Sequence, residues 1–229
     1  MKDWTLVIPA YNEEKRIKQT LDSIQNVLGN EINVLVVSNG SKDKTVEILK
    51  NWKKEHVNFE FLDFNEKLGK GGAILKGLRE VKTKYAGFID ADDSFDLNYV
   101  KNIIKNFGNN DVIIASKWKD RSFFNVSEPF MRKFSSRTWN LLARFFLNLR
   151  FRDTQAGAKF FKKSAFDAID KKFICKGFSF DTELLFKFNK ADFKIKEVYI
   201  KTIHREGSTF AYKQVIPMFK DLLKLWWSK

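Results

Sequence analysis

A chain of 229 residues, 44% of them hydrophobic, is long enough to bury one full core. Its 42 Lys and Arg against 28 Asp and Glu leave a net charge of +14, which reflects either lysine-rich solvated faces or an anionic partner: lipid head groups, a phosphate substrate or nucleic acid. The single Cys and two separated His exclude an internal disulfide and a zinc site of ordinary spacing, and no apolar run reaches the ~20 residues that span a bilayer, so one intracellular domain without a signal peptide is expected.

Through the first half, short β-rich runs alternate with helical patterns. Strands are predicted at 4–8, 32–37, 57–62 and 85–89, and helices at 13–28, 43–54 and 72–81, the first with Ile17, Leu21, Ile24 and Leu28 on one face. This β-α-β-α order predicts a mainly parallel sheet with helices on both faces and ligands at the carboxyl ends of the strands. The unusual residues fall in those loops: Pro9-Ala10-Tyr11-Asn12-Glu13, Ser38-Asn39-Gly40-Ser41 and Asp90-Ala91-Asp92. Taken singly, each loop has a structural account, with Asn12 and Ser41 as helix caps, Pro9 as a strand stop and Gly40 as a turn. Asp90 and Asp92 close an apolar run at i, i+2. As strand residues they point to one side and could share Mg2+ or Mn2+ through oxygen ligands; the alternative is a capping turn. Gly69-Lys70-Gly71-Gly72 fits neither common phosphate-loop pattern, so Lys70 is either a diphosphate neighbour or part of a tight turn.

Beyond Asp111 the alternation loosens. A strand is predicted at 112–115, then a loop with Lys117, Lys119 and Arg121, then a helix from about 129 to 149. On that helix Arg137, Asn140, Arg144 and Asn148 form a polar stripe, and Phe134, Leu141, Leu142 and Phe145 are expected to pack on the domain. Arg132 and Ser136, one turn apart, could grip a phosphate together. Between Ala115 and Lys172 fourteen Lys and Arg face five Asp and Glu, so this segment carries +9 of the total. Near the C terminus Val215, Met218, Phe219, Leu222, Leu223, Trp226 and Trp227 recur at helical spacing among lysines, which suits a helix at a membrane interface or one docked on the core. The expected division is a catalytic domain over 1–212 and an amphipathic helix over 213–229.

In this order, Val7-Ile8-Pro9-Ala10-Tyr11-Asn12-Glu13, Val36 to Thr45 and Asp90-Ala91-Asp92 resemble the family 2 glycosyltransferases from end to end of the chain. Gly69 to Ala73, Arg152 to Lys159 and Gly177 to Leu185 resemble the members that glycosylate dolichyl phosphate, first those for glucose and next those for mannose. The resemblance implies a GT-A fold, a nucleotide sugar donor (UDP-glucose or GDP-mannose), Mg2+ or Mn2+, inversion at the anomeric carbon, and a polyprenyl phosphate acceptor. It places the chain at the inner, cytoplasmic face of a membrane. By the same analogy Pro9, Tyr11, Glu13, Val37 and Asn39 contact the nucleoside; Asp90, Ala91 and Asp92 line the donor site, with Asp90 and Asp92 on the metal and diphosphate. Lys117, Arg132 and Ser136 take the acceptor phosphate, and Arg205 lies near the donor diphosphate. Three departures stand out: Ser38-Asn39 replaces two acidic residues, Ser94 stands where a stronger metal ligand is usual, and Thr209-Phe210 replaces a late lysine. The competing classes are a basic nucleic-acid-binding module, which lacks a recognition motif and leaves the aspartates unexplained, and a nucleotidyltransferase. No nucleic-acid partner is expected.

Overall fold

The computed structural model describes residues 2–121, 130–169, 171–203 and 214–228. Seven strands, β1 Trp4–Ala10, β2 Asn33–Asn39, β3 Phe59–Phe64, β4 Tyr85–Phe88, β5 Val112–Ser116, β6 Lys159–Lys162 and β7 Ile195–Tyr199, form one sheet in the order β3-β2-β1-β4-β6-β5-β7. All neighbours pair in parallel except at β6, which runs antiparallel to both β4 and β5. The helices are α1 Ile17–Leu28, α2 Thr45–Glu55, α3 Lys70–Glu80, α4 Leu97–Lys105, α5 Phe130–Leu147, α6 Lys163–Ala168, α7 Phe180–Lys190 and α8 Val215–Trp227.

The apolar runs of β1 and β2 are continuous because both faces of the sheet are covered. Leu6, Ile8 and Val36 join α1, α2 and α4 in one core, while Val7 and Val37 face α3, α5, α7 and α8 in the other. This is the expected mainly parallel sheet with helices on both sides. The boundaries shift at functional places. Helix α1 begins at Ile17 rather than Glu13, since the Glu13 carbonyl accepts from the amides of Arg16 and Ile17 in a preceding turn. Helix α3 starts at Lys70, two residues before its expected start, and β4 stops at Phe88, one residue early.

One expectation about helices is corrected. On α5 the buried side is Trp139, Asn140, Ala143 and Leu147, whereas Phe134, Leu141 and Phe145 are exposed, so three of the four apolar residues expected to pack do not. The polar Asn140 turns inward because its side-chain oxygen accepts from the Thr154 amide and hydroxyl at 2.7 and 2.8 Å. Helix α8 is docked on the core through one side. Met218, Leu222 and Leu225 enter the same core as α5 and α7, and its other side stays in solvent.

Candidate active site

Because β1, β2 and β4 are parallel neighbours, their carboxyl ends share one edge, and the three loops meet there. Asn12 and Ser41 do not cap helices. The Ser41 hydroxyl accepts from the Asn12 amide at 3.1 Å and the Asn12 side-chain oxygen accepts from the Lys42 amide at 2.8 Å, clasping the first loop to the second. Thr45 accepts from the Glu13 amide at 2.8 Å and continues the clasp. Pro9 lies opposite Val37 in the sheet. The Val37 side chain is fully buried against α3, so at this edge it offers only backbone. Asn39 is also buried, and its side-chain oxygen accepts from the Leu68 amide, tying β2 to the loop before α3. The Tyr11 ring is half-buried under the Lys67 ammonium, 4.1 Å from its centroid.

Asp90 and Asp92 follow the end of β4 in a turn; they are not paired strand residues. Their capping account also fails, since α4 is capped by Asp96, whose carboxylate accepts from the Asn98 amide at 3.0 Å. Ala91 between them is buried, with its carbonyl accepting from the Thr20 hydroxyl at 2.8 Å, so the turn is anchored to α1. One Asp92 oxygen accepts from the Ser94 amide at 3.1 Å. The Ser94 carbonyl in turn accepts from Ile203, at the entrance to the segment that contains Arg205. Arg205 itself lies outside the described residues.

Carboxylates crowd this turn. Burial raises the Glu13 carboxyl above its usual range, with Asp92 and Asp90 adding to the effect against the two hydrogen bonds that Arg16 donates at 2.7 and 2.8 Å. Asp90 is likewise raised by burial and by Asp92 and Asp181, against the pull of Lys70. The Lys70 ammonium lies 2.7 Å from Asp90 and 3.2 Å from Asp181, and although burial works against its charge, these two anions hold its pKa above the ordinary lysine value. In the glycine-rich loop two amides are engaged, Leu68 donating to Asn39 and Gly72 to the Lys176 carbonyl, and the Lys70 ammonium is turned to the two carboxylates. Asp90 also requires Gly157, since a Cβ there would sit 2.1 Å from its Oδ2.

The donor set fits Mg2+ or Mn2+, which take hard oxygen ligands. Among the described residues no three His, Cys, Asp or Glu converge as a metal cage. Asp90 and Asp92 would thus supply two ligands at most, the number typical where substrate phosphates complete the shell.

A basic cluster surrounds the fully buried Trp118 just after β5. Its indole N–H donates to the Ser136 hydroxyl at 3.3 Å, the Arg137 guanidinium lies 4.1 Å from its ring, and the Lys117 ammonium lies 5.5 Å from it. Lys117 and Ser136, distant in sequence, are brought to one place. Arg132 is one turn before Ser136 on α5, with its side chain outside the described part. Buried Asp153 accepts from the Lys117 amide at 3.4 Å; burial raises its pKa, and Lys117 and Lys159 oppose that.

Sequence reasoning assigned no role to Asp181, Lys159, Gly157, Trp118 or Arg137. The first three sit inside the motif stretches quoted above, where a charged residue flanked by Phe, Gly or Ala was the available signal. Among the described residues, ten of the thirteen exposed large apolar side chains lie on α5 and α8. Phe130, Phe134, Leu141 and Phe145 form one stripe at helical spacing, and Phe146 meets Trp226 edge-on at 5.7 Å where the two helices pack. No described helix is long and apolar enough to cross a membrane.

The chain is 30% identical to a dolichyl-phosphate beta-glucosyltransferase of Trichomonas vaginalis, an alignment covering 96% of this chain and 72% of the relative. It is 29% identical to a UDP-N-acetylglucosamine–dolichyl-phosphate N-acetylglucosaminyltransferase of Methanococcus voltae, covering 96% and 93%. A similar fold occurs in glucosyl-3-phosphoglycerate synthase from Mycobacterium tuberculosis in complex with UDP, with a TM-score of 0.72, 17% identity and coverage of 98% and 79%. That enzyme has also been solved with Mn2+, UDP and phosphoglyceric acid. The fold is GT-A, and residues 5–170 match Glycosyl transferase family 2, so the chain belongs to that family and is a glycosyltransferase.

Proposed function

We infer that the chain transfers a hexose, glucose in our reading, from a nucleotide sugar to the phosphate of a polyprenol. One observation carries this reading: a carboxylate-rich turn at Asp90 and Asp92 lies on the same sheet edge as a cationic cluster built on Lys117, Ser136 and Arg137. The relatives named for dolichyl phosphate support the acceptor class. Asp90 and Asp92 hold Mg2+ or Mn2+, which supplies charge stabilisation for the departing nucleoside diphosphate. Pro9, Tyr11, Glu13 and Asn39, with the Val37 backbone, line the nucleoside; Lys70 and Arg205 attend the diphosphate. Lys117, Arg132 and Ser136 bind the acceptor phosphate, and Arg137 joins them.

A phosphate monoester has its second pKa near 6, so at neutral pH its oxygen attacks without a protein general base. The chain's own task is to bring two anions together and screen them, acidic at the metal and basic at the acceptor. The exposed apolar sides of α5 and α8, with Lys220 and Lys224 exposed on α8, rest on the membrane surface that holds the lipid acceptor.

The test is incubation with Mg2+ or Mn2+, a panel of UDP-glucose, UDP-N-acetylglucosamine and GDP-mannose, and a polyprenyl phosphate, scored by the glycolipid formed. UDP-glucose should give product and Asp92→Asn should abolish it while the protein stays folded. Wild-type turnover by Asp92→Asn would remove that residue from the site. Pyrophosphate release in place of nucleoside diphosphate would change the reaction class.

A further inference from the structure

Four charged side chains alternate in sign from the core to the metal-binding turn. Lys159 Nζ is 2.8 Å from Asp181 Oδ1, Asp181 Oδ2 is 3.2 Å from Lys70 Nζ, and Lys70 Nζ is 2.7 Å from Asp90 Oδ1. Side-chain exposure rises along this chain, from 0% at Lys159 and 2% at Asp181 to 15% at Lys70 and 30% at Asp90. The inner end is fixed. Lys159 also donates to the Ala156 carbonyl, and Asp181 stands in the first turn of α7, pressed so closely on α3 that a Cβ at Gly71 would lie 2.3 Å from Phe180 Cβ. The outer end is the less enclosed one, and Lys70 carries its ammonium on a flexible four-carbon stem.

Lys70 occupies an Asp90 oxygen that a divalent cation would need. Two cations cannot share that carboxylate closely without strong repulsion in a partly buried site. We propose that Lys70 is a captive counter-cation: it holds Asp90 in the nucleotide-free protein and moves to the donor diphosphate when Asp90 becomes a metal ligand. Asp181 is its fixed pivot, and Lys159 holds that pivot in place. This rests on the reading of Asp90 and Asp92 as metal ligands.

The consequence is coupled binding. Without nucleotide, Lys70 would leave a carboxylate at short range and gain only water, so metal binding is opposed. With a diphosphate present the ammonium exchanges one anion for another, and metal and nucleotide each favour the other by the same factor. Metal affinity in the absence of nucleotide is thus set by Lys70, a residue that ligates no metal.

The measurement is Mn2+ binding alone, followed by the electron paramagnetic resonance of free Mn2+, on wild type, Lys70→Met, Lys70→Arg and Asp92→Asn, repeated with UDP and with GDP. Lys70→Met should bind Mn2+ alone at least ~10-fold more tightly than wild type, the lower end of what a neighbouring charge does to an ionisable site. Lys70→Arg should stay near wild type, and the better nucleotide should raise Mn2+ affinity less in Lys70→Met than in wild type. Lys70→Gln gives the same comparison if thermal melting shows that methionine unfolds the protein. Unchanged or weaker binding of Mn2+ alone by both uncharged variants overturns the proposal. Loss of the effect through Asp92→Asn binding Mn2+ as wild type does would instead overturn the metal assignment, and neither readout depends on sugar transfer.

Discussion

Gly157→Ala isolates the placement of one carboxylate. The new Cβ would lie 2.1 Å from Asp90 Oδ2 and 2.8 Å from its Cγ, where ordinary contact begins near 3.4 Å, so the carboxylate must retreat by about 1.3 Å. The obstacle is the end of a side chain, not backbone, and Gly157 does not hold a left-handed conformation, so the chain can fold around alanine. A displacement of ~1 Å at a reacting centre costs up to ~100-fold in rate, or about 2.7 kcal/mol in the transition state. Transfer from nucleotide sugar to polyprenyl phosphate should therefore drop by roughly two orders of magnitude, while the melting temperature moves by only a few degrees. Gly177→Ala is the matched control, since a Cβ there meets nothing within 4 Å, and it should keep full activity. Wild-type turnover by Gly157→Ala would refute the placement of Asp90 as a geometrically demanding ligand.

Trp227 is 86% exposed on α8, so Trp227→Glu should leave stability unchanged while lowering flotation with phosphatidylcholine–phosphatidylglycerol vesicles; unaltered flotation would remove this face from the membrane contact. Asp111 joins three strands, with its carboxylate 2.8 Å from the Lys162 ammonium and accepting from the Lys194 amide at 3.0 Å, and the bond from Lys162 chiefly holds its pKa below the usual value. A depressed folded pKa adds stability above the unfolded value of about 3.9, and that stability is lost as pH falls through the folded pKa. Asp111→Asn should therefore be less stable than wild type at neutral pH, with the gap in chemical denaturation closing as pH drops below ~4. A constant gap across that range would contradict this account.

The parallel half of the fold is legible because its strands are apolar, β-branched and punctuated by loops rich in Pro, Asn and Gly. What escapes is short or buried on all sides. Strand β6 reads Lys-Phe-Phe-Lys, and its buried Lys159 breaks any alternation that would mark it. Helix α7 is buried from Phe180 to Phe186 and again at Phe188, so no polar face sets a helical period. On α5 the difficulty is opposite: the pattern shows an amphipathic helix but not which side meets the protein. Asn140 is inward because Thr154, fourteen residues away, supplies donors, and no local rule contains that information. In the site, Asp90, Asp92, Lys117 and Ser136 are visible as chemistry, whereas Trp118 and Asp181 act through neighbours that only folding brings near.

The reversal of β6 gives its four residues a weight beyond their length. Since β6 runs against β4, with Lys159 opposite Phe88, the strand's first residue arrives at the edge where its neighbours end. Phe160 and Phe161 then alternate between the two cores, so Lys159 shares the α3–α7 face with Phe161. A slip of one residue would turn every side chain of the strand over. Lys159 would then face the apolar core under α1 and α4, and Asp181 would lose its inner partner. Any length change between Arg150 and Gly157 must therefore be absorbed before Lys159, because the pairing register decides whether the acidic turn keeps its inner counter-charge.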